Sequence, residues 1–109
     1  MEDFSEEVKR LIKEHKQNGF EYGKPIDFLM ARNKITKEEI ENELINCDEI
    51  AFAKKQERDD ETRYLLYFVY SKRKGRAYVI KFKDKIRIIT IYPLGRKTLK
   101  RYKLVRFKR

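Results

Sequence analysis

RYLLYFVYSKRKGRAYVIKFKDKIRIITIYP, residues 63–93, is the stretch whose reading decides the fold. Its first run, RYLLYFVYS (63–71), is apolar on both faces, which predicts a strand lying centrally in a sheet. KRKG is a turn ending at Gly75. RAYVIKF (76–82) is a second strand, and KDK (83–85) is a tight hairpin turn. IRIITIYP (86–93) is a third strand, stopped by Pro93. Links this short make consecutive strands antiparallel neighbours.

Working upstream, EIAFAKK (49–55) places Ile50 and Phe52 on one face and predicts a further strand, and QERDDET (56–62) reads as a polar loop. Before it the apolar period changes from two to that of a helix. Thr36 with Glu39 forms a capping box, and Ile40, Leu44 and Ile45 supply the stripe that follows. Asp27 is placed to cap a short helix holding Leu29, Met30 and Ala31, with Asn33-Lys34 as the turn behind it. Ser5 is placed to cap a first helix over residues 6–17, with Val8, Leu11 and Ile12 at helical spacing and Asn18-Gly19 as its end. GFEYGKP (19–25) has two glycines and a proline and reads as a loop.

The expected architecture is α+β: two or three N-terminal helices packed on one face of a four- to five-stranded antiparallel sheet. A single domain spans 1–109, with 1–24 as a helical N-terminal extension and 25–109 as the core. The apolar tail residues Leu99, Tyr102, Leu104, Val105 and Phe107 predict a fifth edge strand or a short helix after Pro93, not a solvated extension.

Of 109 residues, 42% are charged and the net charge is +10. Lys and Glu dominate, a composition common in proteins that work hot. The charge is segregated. Residues 1–62 carry 11 Lys+Arg and 17 Asp+Glu, whereas 63–109 carry 17 Lys+Arg and one acid, Asp84. Either the acidic half folds over the basic half or a polyanion covers it. A positive field concentrated in one region favours the polyanion. The one cysteine, Cys47, forms no internal disulfide and reads as a small packed residue in a reducing cytoplasm. No secretory leader or membrane-spanning run is apparent, so no membrane partner is expected.

The catalytic motifs are few. The single histidine, His15, sits on a helix beside the core stripe. Clustered His/Cys and phosphate-binding glycine loops are lacking, so neither a metal nor a cofactor is expected. The acidic groups EEIENE (38–43) and DDE (59–61) read most simply as a solvated helix face and a loop. What remains is basic and aromatic: Arg76, Lys81, Lys83 and Arg87 on the last strands, Tyr92, and the terminal cations Arg96, Lys97, Lys100, Arg101 and Arg106. Arg87 lies between Ile86 and Ile88, so it must face solvent or meet an anion. Cations interleaved with aromatic rings suit RNA, where charge holds phosphates and rings stack on unpaired bases. Tyr64, Tyr67 and Tyr78 read as packing residues, whereas Tyr92 and Tyr102, flanked by cations, are the better base platforms.

Helices first, then a meander, then a basic ending resembles the RelE/ParE toxin superfamily, in particular its BrnT-like and neighbouring groups. The resemblance rests on RNKITKEEIENELINCDEI (32–50) and on RAYVIKFKDKIRIITIYPLGRKTLKRY (76–102), and runs from about Arg32 to the end. RelE-type endings commonly read Gly-x-Arg with a Tyr a few residues later; here Gly95, Arg96 and Tyr102 stand there, and Lys97 follows where members often place a histidine. The resemblance implies an mRNA endonuclease of a toxin–antitoxin pair, acting on the ribosome without metal. The RNA 2′-hydroxyl would attack the adjacent phosphate, and the protein would align the atoms and neutralise the phosphorane. Arg96 would bind the scissile phosphate, Tyr102 would stack on a base or assist proton transfer, and Arg87 is a further catalytic candidate. Lys81 and Lys83 would match the basic residues of the central strands, and an acidic antitoxin would cover the basic face. Two other readings use the same face: a non-catalytic RNA- or ribosome-binding domain, and a basic protein-interaction module.

Overall fold

A computed structural model describes residues 2–101. The elements are α1 (Ser5–His15), β1 (Phe20–Tyr22), α2 (Ile26–Asn33), α3 (Lys37–Ile45), β2 (Phe52–Arg58), β3 (Glu61–Val69), β4 (Gly75–Phe82), β5 (Ile86–Leu94) and α4 (Arg96–Arg101). The class is α+β, with one five-stranded sheet in the order β1-β5-β4-β3-β2. The meander from β2 to β5 is antiparallel, as its short links required. The sheet as a whole is mixed, because β1 joins β5 in parallel, with Phe20 beside Ile86 and Tyr22 beside Ile88. The segment 19–25, expected as a loop, supplies this strand. Gly19 at φ 92 turns the chain out of α1, and the rings of Phe20 and Tyr22 then pack on the core.

That core lies between α1–α3 and one sheet face. Val8, Ile12, Ile40 and Leu44 of the helices meet Leu66, Tyr78, Ile80, Ile86 and Ile88 there, all fully buried. Segment 1–24 therefore contributes Val8 and Ile12 to the core and β1 to the sheet. A smaller cluster covers part of the opposite face, where Leu99 of α4 closes over Phe52, Leu65, Tyr67, Ala77 and Leu94. Burying Leu99 is worth about 1.5–3 kcal/mol and holds α4 down. The apolar run of β3 is thus buried on both faces, as its composition predicts. The tail was expected to give a fifth strand or a short helix: its described part is the helix α4, and the fifth strand is β1.

Local departures have simple causes. Residue Ser5 begins α1 rather than capping it; the Asp3 carboxylate accepts from the N–H groups of Ser5 (2.9 Å) and Ala53 (3.1 Å), tying the helix start to β2. Pro25, not Asp27, precedes α2. The Thr36–Glu39 capping box forms as expected. Ile50 lies before β2 and packs under the helices, while Phe52 packs on the opposite face, so the two do not share a face. QERDDET is a hairpin rather than a loop: Gln56 to Arg58 pair with Arg63 to Glu61, and Asp59 and Asp60, at φ 52 and 63, form the two-residue turn. A bulge at Ile89 shifts the register between Val79↔Thr90 and Ile80↔Ile88, which lets Ile88 and Ile91 face the same core.

Candidate nucleic-acid interface

Alternation along the strands places Arg63, Lys81 and Arg87 on the sheet face opposite α1–α3. These cations are neutralised from within. Lys81 Nζ lies 3.1 Å from Glu61, Arg63 also bonds Glu61, and Arg87 Nη1 lies 3.2 Å from Glu21. Hydrogen bonds from Arg63 and Lys81 hold the Glu61 carboxyl below the usual carboxylate range. The arginine between two isoleucines does meet an anion, and that anion is its own parallel neighbour, since Glu21 stands opposite Arg87 in the register.

Arg76 lies on the other side of the sheet, under the helices. Its guanidinium sits 3.3 Å from Glu43 of α3, 3.1 Å from the Tyr70 hydroxyl and over the Tyr70 ring at 5.4 Å. The Tyr70 and Tyr78 hydroxyls donate to the same carboxylate. Burial first, then these bonds to Glu43, push both phenols above their ordinary value. Tyr22 bonds Glu41 and Tyr64 bonds Glu7 in the same manner. Glu41 and Glu43, expected on a solvated helix face, are therefore both engaged, Glu41 by Tyr22 of β1 and Glu43 by Tyr70, Arg76 and Tyr78 of the basic half. Tyr64 and Tyr78 are core residues, as expected.

A third group is not neutralised. The β3–β4 turn carries Lys72, Arg73 and Lys74, all exposed. Its backbone is tied by Tyr70 N–H donating to the Lys74 carbonyl (2.9 Å) and by the Ser71 hydroxyl accepting from the N–H groups of Arg73 (3.2 Å) and Lys74 (3.1 Å). Gly75 pairs with Leu94, so this turn ends one strand away from Gly95 and the start of α4. Neighbouring strands lie about 5 Å apart, which brings the turn and Arg96 and Lys97 to the same end of the sheet. Lys100 and Arg101 extend the set along α4, exposed around the buried Leu99. No ion pair to these seven cations occurs among the described residues. On this frame the seven cations stand together, exposed and without an acidic partner among the described residues.

The expected site residues thus fall into separate places. Arg96, Lys97, Lys100 and Arg101 share α4, and Tyr92 lies just before it on β5. Arg87 sits at the opposite end of β5, seven residues from Leu94, or roughly 23 Å at ~3.3 Å per residue. Lys83 is exposed in the β4–β5 turn, near Arg87 and away from α4. Tyr102 and Arg106 lie outside the described residues. The turn Lys72–Lys74 joins the cations of α4 without having been singled out by sequence; its only signal was the charge of KRK, and its place depends on the Gly75↔Leu94 register. No helix among the described residues is long and apolar enough to cross a membrane. Compared with protein-family models, with curated proteins and with solved structures, the chain matches none of them.

Proposed function

We propose that this chain is a cytoplasmic RNA-binding protein that grips the phosphate backbone with the cations of the β3–β4 turn and α4. One observation carries the reading. Arg63 and Lys81 are answered by Glu61, Arg76 by Glu43 and Arg87 by Glu21, while Lys72, Arg73, Lys74, Arg96, Lys97, Lys100 and Arg101 stand exposed together on one tied frame. A charge set that the fold leaves unanswered is suited to an external polyanion.

Binding of a fluorescent single-stranded RNA, followed by anisotropy from 50 to 300 mM KCl, tests this. Each phosphate neutralised on a single strand contributes about 0.7 to the slope of log K against log salt. Replacing Lys72, Arg73 and Lys74 together by Ala is expected to lower the slope by about 2, by the same rule. Replacing Lys81 and Arg87 by Ala changes it far less, because both are already paired. Equal slopes in the two variants would refute the assignment.

The second reading is a RelE-like toxin that cleaves mRNA on the ribosome. Its support is the order of helices, meander and basic ending, with Gly95-Arg96 following β5 directly. Arg96 would then meet the phosphate without Arg87, which is held by Glu21 at the far end of the strand. Cuts within ribosome-bound codons, lost in Arg96→Ala, are what this reading requires. Failure to bind RNA at any salt concentration would leave docking of an acidic protein such as an antitoxin.

A further inference from the structure

A cleft of about 340 Å³ opens between α2 and the end of β5, lined by Leu29, Arg32, Asn33, Ile91, Tyr92 and Pro93. It is amphipathic, with aliphatic walls, one phenol ring, one amide and one guanidinium. Phe28, one turn before the lining residue Arg32 on α2, is 65% exposed, the largest exposure among the big apolar side chains of the described residues. The Arg32 guanidinium lies 5.9 Å over that ring. Tyr92 is 37% exposed; its pairing with Ala77 turns it toward the face that carries α4, so it borders the cleft from across β5. A phenylalanine left this open on a helix whose neighbours Ile26 and Leu29 pack inward does nothing for the core.

The cleft also has a position. Pro93 pairs with Arg76 and Leu94 with Gly75, so the cleft lies at the same end of the sheet as the Lys72–Lys74 turn. Its β5 wall runs through Leu94 and Gly95 into Arg96. A strand of RNA whose phosphates lie on Arg96 and the turn would carry its next base to this opening. An unpaired base offers what the cleft takes: a flat π-face for Phe28, Tyr92 and the planar Arg32, and polar edges for Asn33. A duplex offers neither, since its bases are stacked and paired.

We infer that the cleft between α2 and β5 receives an unpaired base of single-stranded RNA, stacked among Phe28, Arg32 and Tyr92. The inference rests on the RNA-binding reading and adds to it a preference for unpaired strands. The backbone grip alone is indifferent to bases. The cleft makes the presence of a base count.

The test compares two fluorescent strands of equal length and charge, oligouridylate and the same ribose-phosphate chain without bases, against the full chain and its Phe28→Ser and Tyr92→Thr variants. Phe28→Ser lies on an exposed helix face, and Thr suits a strand at position 92, so both keep the fold, which thermal melts verify. Wild type is expected to bind oligouridylate more tightly than the abasic strand. Each variant is expected to lose about fivefold or more on oligouridylate, the lower range of base–aromatic stacking, and nothing on the abasic strand. The chain has no tryptophan, so Phe28→Trp gives a single indole whose emission should be quenched by oligouridylate but not by the abasic strand. Equal binding of both strands by wild type, unmoved by Phe28→Ser, would overturn the cleft assignment and leave the backbone grip standing. Binding of neither strand would overturn the RNA reading and the cleft with it.

Discussion

Replacing Glu43 by Gln removes one charge from the densest polar contact under the helices while keeping its shape. The Glu43 and Arg76 side chains are 17% and 25% exposed, so the pair is neither dry nor solvated. Losing one partner of a fully buried pair costs about 3–5 kcal/mol, and an exposed pair is worth about 0.2–1 kcal/mol. The geometry lies between them, which gives a loss of about 2 kcal/mol. Gln keeps one acceptor oxygen where Glu43 has two, each taking one phenol, so Tyr78 can still donate while the Tyr70 hydroxyl must turn to accept from the amide NH2, and the loss reports the uncompensated guanidinium together with one reversed phenol bond. For a chain of this size, that is a fall in Tm of about 8 °C. Urea unfolding followed by far-UV circular dichroism measures it directly, with an unchanged m value showing that the native state stays compact. In a double-mutant cycle, Arg76→Met should add much less to Glu43→Gln than it costs alone. The salt slope for RNA should not move, because Arg76 faces the helices and not the cationic end. A destabilisation under about 0.5 kcal/mol would mean that water answers Arg76 as well as Glu43 does, and the reasoning would fail.

Two further outcomes follow from the same structure. Gly75→Ala places a Cβ 2.6 Å from the Phe68 carbonyl oxygen and 3.1 Å from Leu94 Cδ1, and backbone cannot swing aside, so a thermal melt should show a loss of about 1–3 kcal/mol; an unchanged melt would show that the sheet yields freely there. The Glu7 carboxyl is held below its ordinary 4.5, first by the Tyr64 hydroxyl and then by Lys55 at 3.1 Å. A depressed carboxyl contributes stability that is present above 4.5 and lost as pH falls through its folded value, so Glu7→Gln should flatten the acid limb of a Tm–pH profile below pH 4.5, and an unaltered limb would exclude Glu7 from it.

The meander was legible because its signals are local: a run apolar on both faces for β3, short turns on either side, and a box of Thr36 and Glu39 for α3. Strand β1 was not. Three residues between glycines have no periodicity, and their partner is β5, 66 residues away for Glu21 and Arg87. The Asp59-Asp60 turn was hidden because two aspartates at positive φ look like any polar loop until the flanking register is known. The interface divided along the same line. The cations of α4 could be read from composition, but the pairing of Arg87 with Glu21 and of Arg76 with Glu43 could not, since each joins distant elements. For the same reason a charge imbalance that pointed to a polyanion is partly answered inside the molecule, at Arg63, Arg76, Lys81 and Arg87.

The parallel strand also sets a clock. At ~5–20 residues per second, a growing chain makes Glu21 roughly 3–13 s before Arg87 exists to meet it. Through that interval the hairpins of β2, β3 and β4 can zip by local contacts, which form early. Phe20 and Tyr22 have nowhere to dock, and β4 carries an open edge of the kind that invites pairing with other chains. The nine residues of β5 then close both gaps at once, bonding β4 on one side and β1 on the other. A chain that stops before Ile86 would lack the partner of both β1 and β4, so the sheet cannot be finished until β5 is made.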